Sequence, residues 1–158
     1  MTLANIKKMK DQRGFTIVEL LIVIVVIGIL AAIVIVAYNG VQNKARTTKA
    51  QTNASAVQKV AEAYNADNGV YPGTIANFAS ASSVKLPTGV TVVSAAATPF
   101  GLTSGNGETS VSYQYKGASA TTATGGRVQF WDFSTGAVST TVIYVGNAAS
   151  GDTFAQAL

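Results

Sequence analysis

Residues 15–37 read Phe15-Thr-Ile-Val-Glu19-Leu-Leu-Ile-Val-Ile-Val-Val-Ile-Gly28-Ile-Leu-Ala-Ala-Ile-Val-Ile-Val-Ala37. From Leu20 to Ala37 there are 18 consecutive apolar or glycine residues, and Thr16 and Glu19 are the only polar side chains of the whole stretch. Thirteen of its 23 residues are Ile or Val, which in water would favour a strand. Length decides otherwise. A strand this long is far outside the normal range, whereas a helix of 23 residues is roughly 35 Å long and crosses a hydrocarbon core of ~30 Å with its backbone bonded internally. The stretch therefore predicts a membrane helix. It is longer than the apolar core of a secretory signal, carries a carboxylate and is followed by no small-residue cleavage site, so an ordinary cleaved signal is not expected.

Outward from this stretch the composition changes, but the helical signal continues. Val41–Asn68 contains no proline and is rich in Ala, Gln and Lys. Ala54, Val57, Ala61 and Tyr64, with Val60 beside them, form a narrow apolar stripe at helical spacing. Asn68-Gly69 supplies a stop, and Pro72 follows. If the two parts join, one helix runs from about Thr16 to Asn68, roughly 80 Å at 1.5 Å per residue, with Gly28 and Gly40 as its weak points. Its second half needs a surface to cover the stripe. Residues 70–158 offer one: a short strand-like run at Val90–Val93, then alternating segments around Val111/Tyr113/Tyr115, Val128/Phe130 and Val142–Val145. Gly125-Gly126 and Ser134-Thr135-Gly136 read as the turns between them, and Ile143 and Val145 mark the last segment as central or buried on both faces. The fold class expected is α+β: a long N-terminal helix, half membrane-spanning and half amphipathic, packed on a small antiparallel meander of three or four strands.

Composition narrows the function. There are no cysteines and no histidines, which excludes a disulfide framework, a Cys/His zinc site and His-based nucleophilic catalysis. The net charge of +4 is concentrated at the start, where Lys7, Lys8, Lys10 and Arg13 face Asp11 alone. Residues 15–158 hold seven basic and six acidic groups, so a nucleic-acid ligand is not expected. No phosphate-binding glycine motif and no carboxylate pair at catalytic spacing is present; no enzyme, cofactor or metal is expected. Weaker features have plain readings. Lys44, Arg46 and Lys49 suit a solvated or headgroup-facing collar, Tyr113, Tyr115, Trp131 and Phe133 suit the sheet core, and the scattered Asp67, Glu108, Asp132 and Asp152 form no calcium-type loop. Asn53-Ala54-Ser55 matches a glycosylation pattern short enough to arise by chance.

The most specific element is the helix entry, Lys10-Asp-Gln-Arg-Gly14-Phe15-Thr-Ile-Val-Glu19-Leu-Leu. A carboxylate inside a membrane helix costs a few kcal/mol and requires a cation or hydrogen-bond donors. Between Arg13 and Lys44, Glu19 is the only side chain charged at neutral pH. Cutting the chain after Gly14 would create an ammonium at Phe15, one helical turn away. Between parallel helices with an axial stagger, that ammonium would meet the Glu19 of a neighbour and favour a single register.

The run Arg13-Gly14-Phe15-Thr16-Ile17-Val18-Glu19-Leu20-Leu21 resembles the class III signal of type IV prepilins, and the exit Asn68-Gly69-Val70-Tyr71-Pro72 is similar to that of type IV pilins and pseudopilins. The resemblance implies a leader (residues 1–14) removed by a prepilin peptidase between Gly14 and Phe15, methylation of the Phe15 amine, and registered assembly through Glu19. It divides the rest into a membrane or filament-core half (15–38), an amphipathic half (39–69) and a globular head (70–158). It further implies a homopolymer, a platform protein and an assembly ATPase as partners, and membrane lipid before assembly. The N-terminus would be cytoplasmic in an inner-membrane, single-pass precursor that leaves for an extracellular pilus. Many major pilins also carry a proline in the apolar half and a cysteine pair near the C-terminus; this chain has neither. The same entry serves pseudopilins and minor pilins of secretion or competence systems. A single-pass anchored ecto-domain, which would keep its leader and not polymerise, is the alternative of another kind.

Overall fold

The structure, a computed structural model, describes residues 14–80, 83–94 and 100–157. The leader up to Arg13 lies outside them. The chain divides at Asn39/Gly40 into two compact units, each described by itself. The elements are α1 (Ile17–Asn68), α2 (Ile75–Ser80), β1 (Thr91–Ser94), β2 (Ser110–Lys116), β3 (Gly125–Gln129), β4 (Trp131–Asp132), β5 (Ala137–Val138), β6 (Ile143–Gly146) and β7 (Ala155–Gln156). Gly28 and Gly40 are both helical.

In the first unit the helix is greasy on every side and covered by none of the described residues: Ile17, Leu20, Ile24, Ile27, Leu30 and Ile33 are all more than half exposed. Among the described residues this is the one helix long and apolar enough to cross a membrane, with a mean hydropathy of 3.6 over its most apolar window.

In the second unit the helix continues with one buried stripe. Thr47, Ala50, Ala54, Val57, Val60 and Ala61 are buried, with Tyr64 packed against them. The stripe is narrow and carries small residues at positions 50, 54 and 61. The helix ends at Gly69, whose φ of +74° suits glycine and whose N–H donates to the Asn65 carbonyl at 2.7 Å. Val92, Val111, Tyr113, Val128, Phe130 and Val145 complete this core from the sheet, and Phe78 of α2 meets the Tyr113 ring edge-on at 4.7 Å.

The sheet departs from a simple meander. Its order is β1-β2-β3-β6, with β2–β3 and β3–β6 antiparallel, but β1 runs parallel to β2, Val92 lying opposite Val111. The chain end returns as β7, antiparallel to β2 at Gln114 and Tyr115. β1 and β7 thus share one side of β2, along different halves of it. β4 and β5 form a separate two-stranded hairpin through the turn ending at Gly136 (φ +67°), where the expected turn lies.

Two further expectations are corrected. Gly125 and Gly126 are not a turn but the first residues of β3. A Cβ on Gly126 would stand 2.5 Å from the Tyr113 hydroxyl, and one on Gly125 2.5 Å from the Val145 carbonyl oxygen, so these glycines serve close packing inside a strand. β6 is not central but at the sheet edge, with only Val145 fully buried. β2 is the strand covered on both faces: Ser110, Ser112 and Gln114 are buried although polar.

Candidate functional site at the helix entry

Thr16 stands just before α1 and acts as its N-cap. Its hydroxyl oxygen accepts the Glu19 N–H at 3.2 Å. Glu19, at the third helical position, answers: Glu19 Oε2 accepts the Thr16 N–H and the Thr16 hydroxyl, each at 2.8 Å. The Thr16 carbonyl takes the first helical bond from Leu20 at 3.2 Å. This is a capping box, in which two otherwise orphaned backbone donors are satisfied reciprocally. A carboxylate here also faces the positive end of the helix dipole. Among described residues, then, the donors that Glu19 requires come from its own turn. The signal was readable as Thr16-x-x-Glu19, and the sequence reading passed over it.

Gly14 and Phe15 precede the helix and are exposed, Phe15 by 85%. A Cβ at Gly14 would meet no described atom within 4 Å. Among the described residues, no packing contact requires glycine at position 14.

Of the basic residues after the span, Lys44 is exposed, whereas Arg46 and Lys49 are engaged within the chain. Lys49 Nζ and Arg46 Nε pair with the two oxygens of Glu108 at 2.8 and 3.4 Å, and the Arg46 guanidinium lies 3.9 Å from the centre of the Phe133 ring. Beside them the Thr47 hydroxyl donates to Asp132 Oδ1 at 3.0 Å and accepts the Phe133 N–H at 3.0 Å. Burial works to raise the Asp132 carboxyl, but the N–H of Ser134 and the Thr47 hydroxyl outweigh it and hold it below the usual aspartate range. These contacts dock the β4–β5 hairpin on α1. Sequence reasoning missed them because the partners lie 59 to 86 residues apart.

At the other end of the second unit, Glu62 accepts the Tyr71 hydroxyl at 2.7 Å and the Gly146 N–H at 3.2 Å, tying the helix to its exit loop and to β6. The four scattered carboxylates are not brought together. Asp67 bonds Ser83, Glu108 and Asp132 are engaged as above, and Asp152 pairs with Lys116 at 2.9 Å. No cluster suited to a metal occurs among the described residues. Tyr113 sits in the main core with Tyr115 against it, whereas Trp131 and Phe133 form a second cluster with Leu102. The Asn53 amide nitrogen donates to the Glu108 carbonyl at 2.9 Å within a helix, so the sequon carries a side chain with a structural bond.

A long N-terminal helix, apolar in its first half and packed on a small mixed sheet in its second, is a pilin-like arrangement, and the protein is type IV pilin-like. A family model described as "Prokaryotic N-terminal methylation motif" matches residues 9–35, which contain Gly14, Phe15 and Glu19. The chain is 43% identical over 68 residues to type II secretion system core protein G of Vibrio cholerae, covering 43% of this chain and 47% of that one. It is 40% identical over 77 residues to the protein of that name in Escherichia coli, covering 49% and 52%. It is 38% identical over 76 residues to the type IV major pilin protein PilE of Neisseria gonorrhoeae, covering 47% and 46%. The chain spans about half the length of the curated relatives it matches. No solved structure matches it significantly.

Proposed function

We propose that this protein is the structural subunit of a helical filament of the type IV pilin kind. It is made as a precursor with residues 1–14 as leader, cut between Gly14 and Phe15 by a prepilin peptidase and methylated on the new Phe15 amine. Residues 15–38 anchor it in the inner membrane, N-terminus inside, and then become filament core. The amphipathic half, residues 39–69, and the remainder to 158 form the part outside the membrane. The observation that carries the reading is the methylation motif over residues 9–35, ending on a helix whose entry is closed by Thr16 and Glu19. Gly14 supports it independently. The fold leaves open space at that position, so a demand for glycine would come from an enzyme that grips the backbone there.

In assembly the Phe15 ammonium of one subunit would approach the Glu19 of a neighbour, replacing or sharing the bonds that Thr16 supplies. Registering the helices in this way removes two charges from an apolar core at once. A platform protein and a cytoplasmic ATPase would drive extraction from lipid. Similarity to secretion core protein G supports a secretion-type filament, and similarity to PilE supports a surface pilus.

The test is mass spectrometry of the N-terminal peptide, run separately on sheared surface material and on membranes. A peptide beginning at methylated Phe15 and abundant in the sheared fraction establishes the pilus subunit. The same peptide confined to membranes establishes the secretion-type or minor subunit. An intact leader in both fractions, from cells with active prepilin peptidase, overturns the proposal in favour of a plain membrane anchor.

A further inference from the structure

Arg127 lies in mid-β3 beside Val128, whose side chain is buried in the core with the α1 stripe. Side chains alternate along a strand, so Arg127 occupies the opposite face of the sheet. Its cross-strand neighbours there are Gln114 and Tyr144. Gln114, itself buried, accepts the Arg127 Nε–H and so fixes the plane of the guanidinium. The Phe154 ring centre lies 4.7 Å from the guanidinium carbon and the Phe100 ring centre 5.3 Å, with Tyr144 packed at 6.3 Å from Phe154. Phe100 takes this place in a left-handed conformation, φ 60°, that a bulky side chain rarely adopts.

The guanidinium is thus half-buried among aromatic rings, and among the described residues no carboxylate pairs with it; burial there disfavours its charged form. The three other basic residues of the second unit without a carboxylate partner, Lys44, Lys59 and Lys85, are exposed and solvated. A cation withdrawn from water and held by one neutral amide is short of a counter-charge. Nor, among the described residues of the second unit, is there an acidic side chain to spare. Glu62, Asp67, Glu108, Asp132 and Asp152, all the acidic residues after Gly40, are each bonded within the chain.

We propose that Arg127, walled by Phe100 and Phe154, is a carboxylate-binding site for an exposed acidic side chain of a partner polypeptide other than a second copy of this unit. The planar fork matches a carboxylate through two parallel N–H bonds, and the flanking rings lower the local dielectric, which strengthens them. The site does not depend on the filament reading, and its test involves no assembly.

The test uses the full chain in detergent micelles with ¹⁵N-labelled arginine side chains. The probe is N-acetyl-glutamate N-methylamide; its glutamine analogue and inorganic phosphate are the contrasts. The expected result is a saturable shift of the Arg127 Nε–H with the glutamate probe, about tenfold weaker with the glutamine analogue and weaker with phosphate. In the variants, which lack that reporter, binding is read from the backbone N–H of Tyr144, the cross-strand neighbour, in uniformly ¹⁵N-labelled protein: a folded R127M should lose glutamate binding, and R127K should bind between the two. Equal binding of the glutamine analogue, tighter binding of phosphate, or glutamate binding retained in a folded R127M each overturns the assignment. Should R127M not fold, R127K decides: affinity equal to wild type would mean that charge alone, and not the fork, attracts the probe, and would overturn it too.

Discussion

Thr16 and Glu19 hold each other through three hydrogen bonds: the backbone N–H and hydroxyl of Thr16 both donate to Glu19 Oε2 at 2.8 Å, and the Glu19 N–H donates to the Thr16 hydroxyl oxygen at 3.2 Å. The carboxylate that the sequence presents as an isolated charge is the closing element of its own helix. Thr16→Val removes the cap while keeping shape, at about 1 kcal/mol. The Glu19 N–H should then exchange with solvent about fivefold faster in micelles, and Thr16→Ser should restore the wild-type rate. Unchanged exchange in the valine variant would mean that the box does not hold the helix entry.

On the proposed processing, Gly14→Val should leave a full-length, uncut precursor and no filaments, since a side chain at position 14 meets no described atom within 4 Å and would instead obstruct the peptidase. Intact mass of the membrane fraction reads this directly, and normal cutting would refute the processing assignment. Glu19→Leu should still be cut but fail to assemble. Normal filament yield from that variant would remove Glu19 from the account.

Thr47 bridges α1 to the β4–β5 hairpin through Asp132 and the Phe133 N–H. Thr47→Val strands both partners and should destabilise the protein by about 1–3 kcal/mol at neutral pH, read as a lower melting temperature. Asp132 titrates below its ordinary range in the folded state, so its contribution is present above the unfolded value and is lost as pH falls through the folded one. The gap between wild type and Thr47→Val should therefore narrow in strong acid.

Tyr71 gives an alkaline signature. Burial, followed by the bond to Glu62 and its charge, raises the phenol to about 12. The unfolded chain releases this proton near its ordinary value of about 10, so the contribution to stability is whole below pH ~10 and is lost as pH rises towards 12. Tyr71→Phe should be less stable than wild type at pH 8 and should lose less stability between pH 10 and 12. Parallel alkaline curves for the two proteins would contradict this.

Gly126 and Gly136 separate two reasons for glycine. At Gly126 a methyl would collide with the Tyr113 ring and the Gln114 carbonyl oxygen, at 2.7 and 2.7 Å, whereas at Gly136 it would meet open space but a left-handed φ of +67°. Gly126→Ala should destabilise by about 1–3 kcal/mol through overpacking, and Gly136→Ala by roughly 1 kcal/mol through backbone strain alone. Thermal melts of the two variants should rank them in that order.

Much of this fold was legible along the chain. The α1 stripe at Ala54, Val57, Val60 and Ala61, its stop at Gly69 and the turn at Gly136 are patterns of a few neighbouring residues, and local backbone preference fixes them. Gly125-Gly126 misled because glycine signals a turn and a close approach alike, and only the position of Tyr113 distinguishes them. The far face of β2 was equally hidden. Ser112 and Gln114 look like solvent positions until the chain from Phe100 and the returning end around Phe154 lie over that face.

The sequence by itself determined the apolar span with Glu19 near its start and the amphipathic continuation, because each depends on length, period and spacing within one helix. Only the tertiary structure decided that β1 lies parallel to β2, that β6 is an edge, that Arg46 and Lys49 converge on Glu108, and that Arg127 is ringed by Phe100 and Phe154. Strand partners and ion pairs are choices among surfaces tens of residues apart. They are settled by which burial leaves the fewest polar groups unmatched, and no local stretch of the chain contains that comparison.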